Sequence, residues 1–208
     1  APAAFSYTDS DYETSDCIFY AADGAPVGLV VYLDGDGQFF HSQGSQSQDE
    51  RSPGVLAGVG CVVEAAGARG FDVVSVRSPG DDGMWWLEDQ DGKVRYLEET
   101  LDYVAAECGA NMDQLWLVGY SGGSEFISRR FFPAYAERMP GGGFINFGGG
   151  DAPEERAAAF SGDAKERLSL NWVTGTRDVP SNSLDGFDGI GHARNSLAYY
   201  RSAGFGHT

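Results

Sequence analysis

The residues best suited to chemistry are Gly119-Tyr120-Ser121-Gly122-Gly123, a serine spaced between glycines as G-x-S-x-G. Four apolar residues, Leu115-Trp116-Leu117-Val118, run straight into it, and Glu125 to Arg130 reads as the opening of a helix. Strand, tight turn and helix is the context in which this pattern presents a nucleophile. The outer glycines let strand and helix backbones approach without a Cβ. The serine at the tip is forced into a strained conformation that lifts its hydroxyl beyond the sheet edge. Ser121 then stands at a helix N-terminus, where backbone N–H groups stabilise an oxyanion. Such a serine attacks a carbonyl when a base takes its proton and a carboxylate orients that base.

The elements around it must place those partners. Residues 27–33 form an almost continuously apolar run, as expected of a parallel strand covered on both faces. It ends in Asp34-Gly35-Asp36-Gly37, at the edge where open α/β sheets carry their sites. Asp-x-Asp-Gly invites a calcium reading, but Gln38-Phe39-Phe40-His41 stands where further oxygen ligands should come, so no metal is expected. Residues 17–20 make a short strand. Residues 55–68 form a helix weakened by Gly58, Gly60 and Gly67. A strand over 71–76 leads into a loop bearing Trp85 and Trp86, which serve either as lid packing or as an apolar wall for a substrate. Residues 93–108 are amphipathic, with Val94, Leu97, Leu101 and Val104 on one face. Strands follow at 144–147 and 168–174, joined by a polar, partly helical crossover, and a helix covers 193–203 before Gly204. This alternation predicts one α/β domain over residues 1–208, built on a doubly wound, mostly parallel sheet.

Val30-Val31-Tyr32-Leu33-Asp34-Gly35-Asp36-Gly37 and Gly119-Tyr120-Ser121-Gly122-Gly123 resemble the oxyanion strand and nucleophile elbow of α/β-hydrolases, in particular secreted bacterial esterases of the polyhydroxybutyrate-depolymerase and feruloyl-esterase kind. The resemblance spans about residues 27–205, and the elbow is its specific motif. It implies an ester or amide hydrolase working through an acyl-enzyme on Ser121, with no metal and no organic cofactor. It also implies an oxyanion held by the Gly122 amide and the loop carrying Gly35 and Asp36. Tyr120, Trp85 and Trp86 are then candidates for the surrounding pocket.

In α/β-hydrolases the chain order is serine, acid, histidine. Asp178, just past the strand 168–174, is the expected acid, with Asp151 at the end of the preceding strand as runner-up. The histidines are His41, His192 and His207. The helix 193–203 runs back to the far edge of the sheet, so His207 lies roughly a strand length, about 17–20 Å, from the active edge. His192 precedes that helix and lies on the correct edge, so the expected base is His192 or else a histidine beyond Thr208. His41 either lines the pocket or is an exposed loop residue. In the resembling family the base follows a final strand, and this sequence stops where that strand begins. The fold is therefore expected to lack its last strand and helix. The helix 193–203, with Leu197, Tyr199 and Tyr200, should be loosely held or completed by a further polypeptide segment.

The 208 residues carry a formal charge of −17 and a pI near 4.3, which argues against nucleic acid and anionic membrane surfaces as partners. Every apolar run is too short to span a membrane. Cys17, Cys61 and Cys108 allow one disulfide and leave one thiol over, and no Cys/His spacing suggests zinc. Ala1-Pro2-Ala3-Ala4 looks like the end left by signal-peptide cleavage, so secretion is expected. Three functions fit: a serine esterase acting on a small or polymeric ester, a hydrolase-like binding domain that has lost its base, or an acyltransferase on the same scaffold.

Overall fold

Side-chain alternation along the central strands divides the interior into two cores. The computed structural model describes residues 2–11, 13–43, 55–153, 159–183 and 185–208. In β3 (Gly28–Leu33) all six residues are buried. Leu29, Val31 and Leu33 join one core with Leu115 and Leu117 of β5 (Leu115–Tyr120), while Val30 and Tyr32 join the other with Val118. A strand buried on both faces is what a helix-covered parallel sheet requires.

The sheet has seven strands in the order β1-β2-β4-β3-β5-β6-β7. β4 (Phe71–Val76), β3, β5, β6 (Gly142–Phe147) and β7 (Leu168–Val173) are parallel. β1 (Ala3–Thr8) and β2 (Thr14–Tyr20) add an antiparallel hairpin at one edge. β1 is largely exposed, with Phe5 and Tyr7 half-buried on one face, so its short pattern carries little strand signal. Its place is set by tertiary contacts such as that of Tyr7 with Tyr103, at 5.1 Å between ring centroids.

α1 (Phe39–Gln43) and α2 (Val62–Gly67) cover one face. The expected helix at 55–68 shrinks to α2 because Gly58 and Gly60 take positive φ angles of 137° and 77°, outside the helical region. α3 (Gln90–Glu107), α4 (Gly122–Phe126), α5 (Phe132–Tyr135), α6 (Gly162–Arg167) and α7 (Gly189–Ala203) lie on the other face. A π-helical turn, Ile127–Phe131, joins α4 to α5.

α7 packs against the chain's own residues. Tyr200 is fully buried among Phe132, Phe144 and Phe205, and its hydroxyl donates to the Ser128 carbonyl at 2.6 Å. Leu197 and Tyr199 are half-buried. After α7 the chain turns at Gly204 and comes alongside β7, where the Leu170 N–H donates to the His207 carbonyl at 2.8 Å. His207 therefore lies beside the middle of the edge strand β7. All three cysteines are free thiols, and burial pushes that of Cys17 up to about 12. Among the described residues no helix is long and apolar enough to cross a membrane.

The parallel register brings the C-terminal ends of β3, β5, β6 and β7 to one edge. Strand order reverses between β3 and β5, since β4 lies to one side of β3 and β5 to the other. A crevice opens at such a switch point. The Asp34–Gly37 loop and Ser121 flank it.

Candidate active site

Ser121 occupies the corner between β5 and α4 with φ 49° and ψ −115°. Left-handed φ is unfavourable for a residue with a side chain and persists only where its surroundings impose it. Here two glycines do so. A Cβ on Gly119 would lie 2.6 Å from the Ser124 nitrogen, and one on Gly123 would strike the Leu33 carbonyl. With the backbones this close, strand turns into helix within one residue. The Ser121 amide donates to the Phe147 carbonyl at 2.9 Å, and its carbonyl accepts from the Glu125 N–H at 3.1 Å. Among the described residues the Ser121 hydroxyl makes no hydrogen bond.

The loop after β3 is built around buried Asp34. Its carboxylate accepts from the Gly35 and His41 amides (2.8 and 2.9 Å) and from the Tyr32 hydroxyl (2.9 Å). Burial raises its pKa against these bonds. Gln38, fully buried, ties this loop to the next by donating to the Gly35 and Gly83 carbonyls and accepting from the Ser78 amide. The Gly35, Gly37 and Gln38 amides have acceptors, leaving the Asp36 amide without one among the described residues. The Gly122 amide, at the first position of α4, likewise has no intrahelical acceptor.

A cavity of about 360 Å³ opens at this corner, bordered by Ser121, Gly122, Glu125 and His192 together with Asp36, Trp86, Ser183 and residues 185–188. Asp36 and Trp86 form one wall. The Trp86 indole N–H donates to Asp36 Oδ1 at 2.9 Å, and both side chains pack so closely on Gly122 that a Cβ there would collide with them. Partial burial raises the Asp36 carboxyl pKa, the Trp86 bond opposes this, and the neighbouring carboxylates of Asp185, Asp82 and Glu125 reinforce it.

His192 lies on the first turn of α7, which Asp188 caps by accepting the Gly191 N–H at 2.9 Å. Its Nδ1 is 2.9 Å from Glu125 Oε1, its Nε2 is 3.9 Å from Asp151 Oδ2, and the Phe187 ring meets it edge-on at 4.9 Å. The bond to Glu125 raises the His192 pKa above 6.5; burial and Arg129 oppose this, and Asp151 adds to it.

The structure departs from the sequence reading at several residues. Asp178 does not meet His192: its carboxylate packs against Gly189 and toward Gly148, and its carbonyl accepts the Ile190 N–H at 3.1 Å. It braces the start of α7. The carboxylate on Nδ1 is that of Glu125, and Asp151 approaches the other nitrogen. Trp85 is 0% exposed and packs on Phe126 at 5.1 Å, so it belongs to the core and not to the pocket wall. Tyr120 turns away to meet Phe40 edge-on, and Gly35 packs against Tyr120 and Ser121. His41 is buried, with Nδ1 2.7 Å from the Ser75 hydroxyl, and burial lowers its pKa to about 4. No group of three or more His, Cys, Asp or Glu able to hold a metal occurs among the described residues.

No protein-family profile matches the chain, and no curated protein sequence matches it. Solved structures do. LpqC, a poly(3-hydroxybutyrate) depolymerase from Bordetella parapertussis, is 14% identical at a TM-score of 0.61, over 99% of this chain and 80% of that one. YahD, solved with malic acid, is 15% identical at a TM-score of 0.55, over 89% and 84%. An acetyl xylan esterase from Aspergillus awamori is 15% identical at a TM-score of 0.50. There the match covers 78% of this chain and only 56% of the esterase. Together with the strand order and the Ser121 corner, these likenesses define the fold: the chain has the α/β-hydrolase fold.

Proposed function

We propose that the protein is a serine esterase, with Ser121 as nucleophile and His192 as base. One observation carries this reading: Ser121 is held at positive φ between Gly119 and Gly123, at the mouth of a cavity it shares with His192. Strain of this kind needs a reason, and presentation of a hydroxyl to a substrate supplies one. His192 takes the proton from the Ser121 hydroxyl as its oxygen bonds to the ester carbonyl carbon. The alkoxide that forms on the carbonyl oxygen is held by the Gly122 and Asp36 amides, neither of which has an acceptor among the described residues. Collapse expels the alcohol, which receives the proton from His192, and water then releases the acid by the same steps.

The cavity of about 360 Å³ suits a small ester or the end of a larger one. Asp36, Asp185 and Asp188 around it disfavour an anionic substrate. Esterase and depolymerase names among the fold neighbours support hydrolysis of a carboxylic ester. The Ser121→Ala variant should lose turnover of a p-nitrophenyl ester by roughly 10⁴-fold or more. An organophosphorus probe should label the parent stoichiometrically at Ser121. A folded Ser121→Ala variant that keeps the parent rate would overturn the assignment, and a folded parent that resists labelling would favour a binding domain.

A further inference from the structure

We propose that Glu125, on the serine's own helix, is the carboxylate that positions His192, in the place where the sequence leads one to expect Asp178. This deepens the serine-esterase reading and rests on it. Glu125 is fully buried, and a buried carboxylate without partners is strongly destabilising. It has partners on every side. Its Oε1 accepts the Gly150 amide at 2.8 Å, its Oε2 accepts the Asp151 amide at 3.1 Å, Arg129 lies 3.8 Å away one turn along the chain, and His192 Nδ1 completes the set.

The loop that closes on it has the composition of a built site. Gly148, Gly149 and Gly150 take φ angles of 63°, 141° and 93° in succession, a course that only glycine follows at low energy. A Cβ on Gly149 would lie 2.8 Å from Glu125 Oε1. Three consecutive glycines thus let the backbone wrap this carboxylate and point amides at it, as in other anion-binding nests.

Ser121 caps α4 and Glu125 lies in its first turn, where its N–H donates to the Ser121 carbonyl at 3.1 Å and burial leaves its side chain little freedom. An ionised carboxylate only accepts hydrogen bonds, so Nδ1 must be the nitrogen that carries a proton. The Nε2 lone pair of the neutral ring is then the base. Nε2 faces Asp151 at 3.9 Å, beyond hydrogen-bond distance, and borders the same cavity as Ser121. When Nε2 takes that proton, the imidazolium is stabilised by Glu125 without any rearrangement. The charged groups facing His192 are Glu125 on α4, Arg129 on the π-helical turn and Asp151 after β6.

The test compares Glu125→Gln with Asp178→Asn. Glu125→Gln should lower kcat at least tenfold with little change in KM, and shift the acidic limb of kcat/KM downward; Glu125→Asp should restore part of the rate. Asp178→Asn should leave that limb where it is. An unmoved limb in a folded Glu125→Gln variant, or a shift in Asp178→Asn instead, overturns the assignment. NMR of the His192 ring in the parent provides a second measure that requires neither turnover nor the variant. The expected result is a protonated Nδ1 and a titration midpoint above 6.5; a neutral ring protonated at Nε2 overturns it. Loss of activity in Ser121→Ala alongside an unmoved Glu125→Gln limb refutes only Glu125. An active Ser121→Ala refutes the esterase reading itself.

Discussion

The serine corner and the histidine site are neighbours in one cavity but were assembled by different means. The corner is made of consecutive residues. Gly119, Ser121 and Gly123 set its geometry largely through backbone contacts a few residues long, joined by the Leu33, Asp34 and Phe147 carbonyls. The histidine site draws one side chain from α7, one from α4 and two amides from the loop after β6. A locally built feature survives wherever its pentapeptide is embedded between strand and helix. A feature built from three elements exists only when the sheet has brought them together.

That contrast can be tested by removing parts from each side. His192→Ala should cost roughly 10⁴-fold in kcat while probe labelling slows in parallel, since a base and its nucleophile act as a unit. A much smaller loss would mean that the serine works without this histidine. Trp85→Ala, in the core beneath the site, should destabilise the protein by about 3–5 kcal/mol in urea unfolding. KM should stay unchanged below the transition. Gly119→Ala should cost about 1–3 kcal/mol and lower activity as well, because its Cβ meets the Ser124 backbone. Unchanged activity there would show that the corner tolerates a looser turn.

The pH dependence sharpens the histidine side. Activity needs the neutral ring, so a raised pKa places the acidic limb of kcat/KM above 6.5, with rate lost as pH falls through that midpoint. Stability runs the other way. The protonated His192–Glu125 contact adds stability that is fully present below the unfolded pKa and lost as pH rises through the folded one. A limb at or below 6.5 would separate His192 from the reaction. The smallest effect belongs to Trp86→Ala. Its side chain is half-buried on the cavity wall, so KM should rise a few-fold with stability changed by less than about 1 kcal/mol.

How much of this the sequence reveals varies by residue. The parallel strands were legible because both of their faces are buried, which leaves near-continuous apolar runs at residues 27–33 and 115–118. β1 was not, because its alternation is confined to Phe5 and Tyr7, which meet α3, and is too short to read. Trp85 and Trp86 are adjacent and chemically identical, yet one fills the core and the other walls the cavity. Only the path of their loop separates them.

What the sequence determined by itself is the α/β layering and the turn at Ser121, since both rest on interactions within a few residues or on the simple alternation of faces. The place of His192 at the start of the last helix also followed from it, because the direction of a helix leaving a parallel strand is fixed by topology. The choice of carboxylate was decided by the tertiary structure alone. Glu125 and Asp178 are both acids near a strand end, and nothing local distinguishes them. Glu125 faces His192 because three glycines let the loop after β6 fold over its carboxylate, while the Asp178 carboxylate is turned against Gly189 at the start of α7.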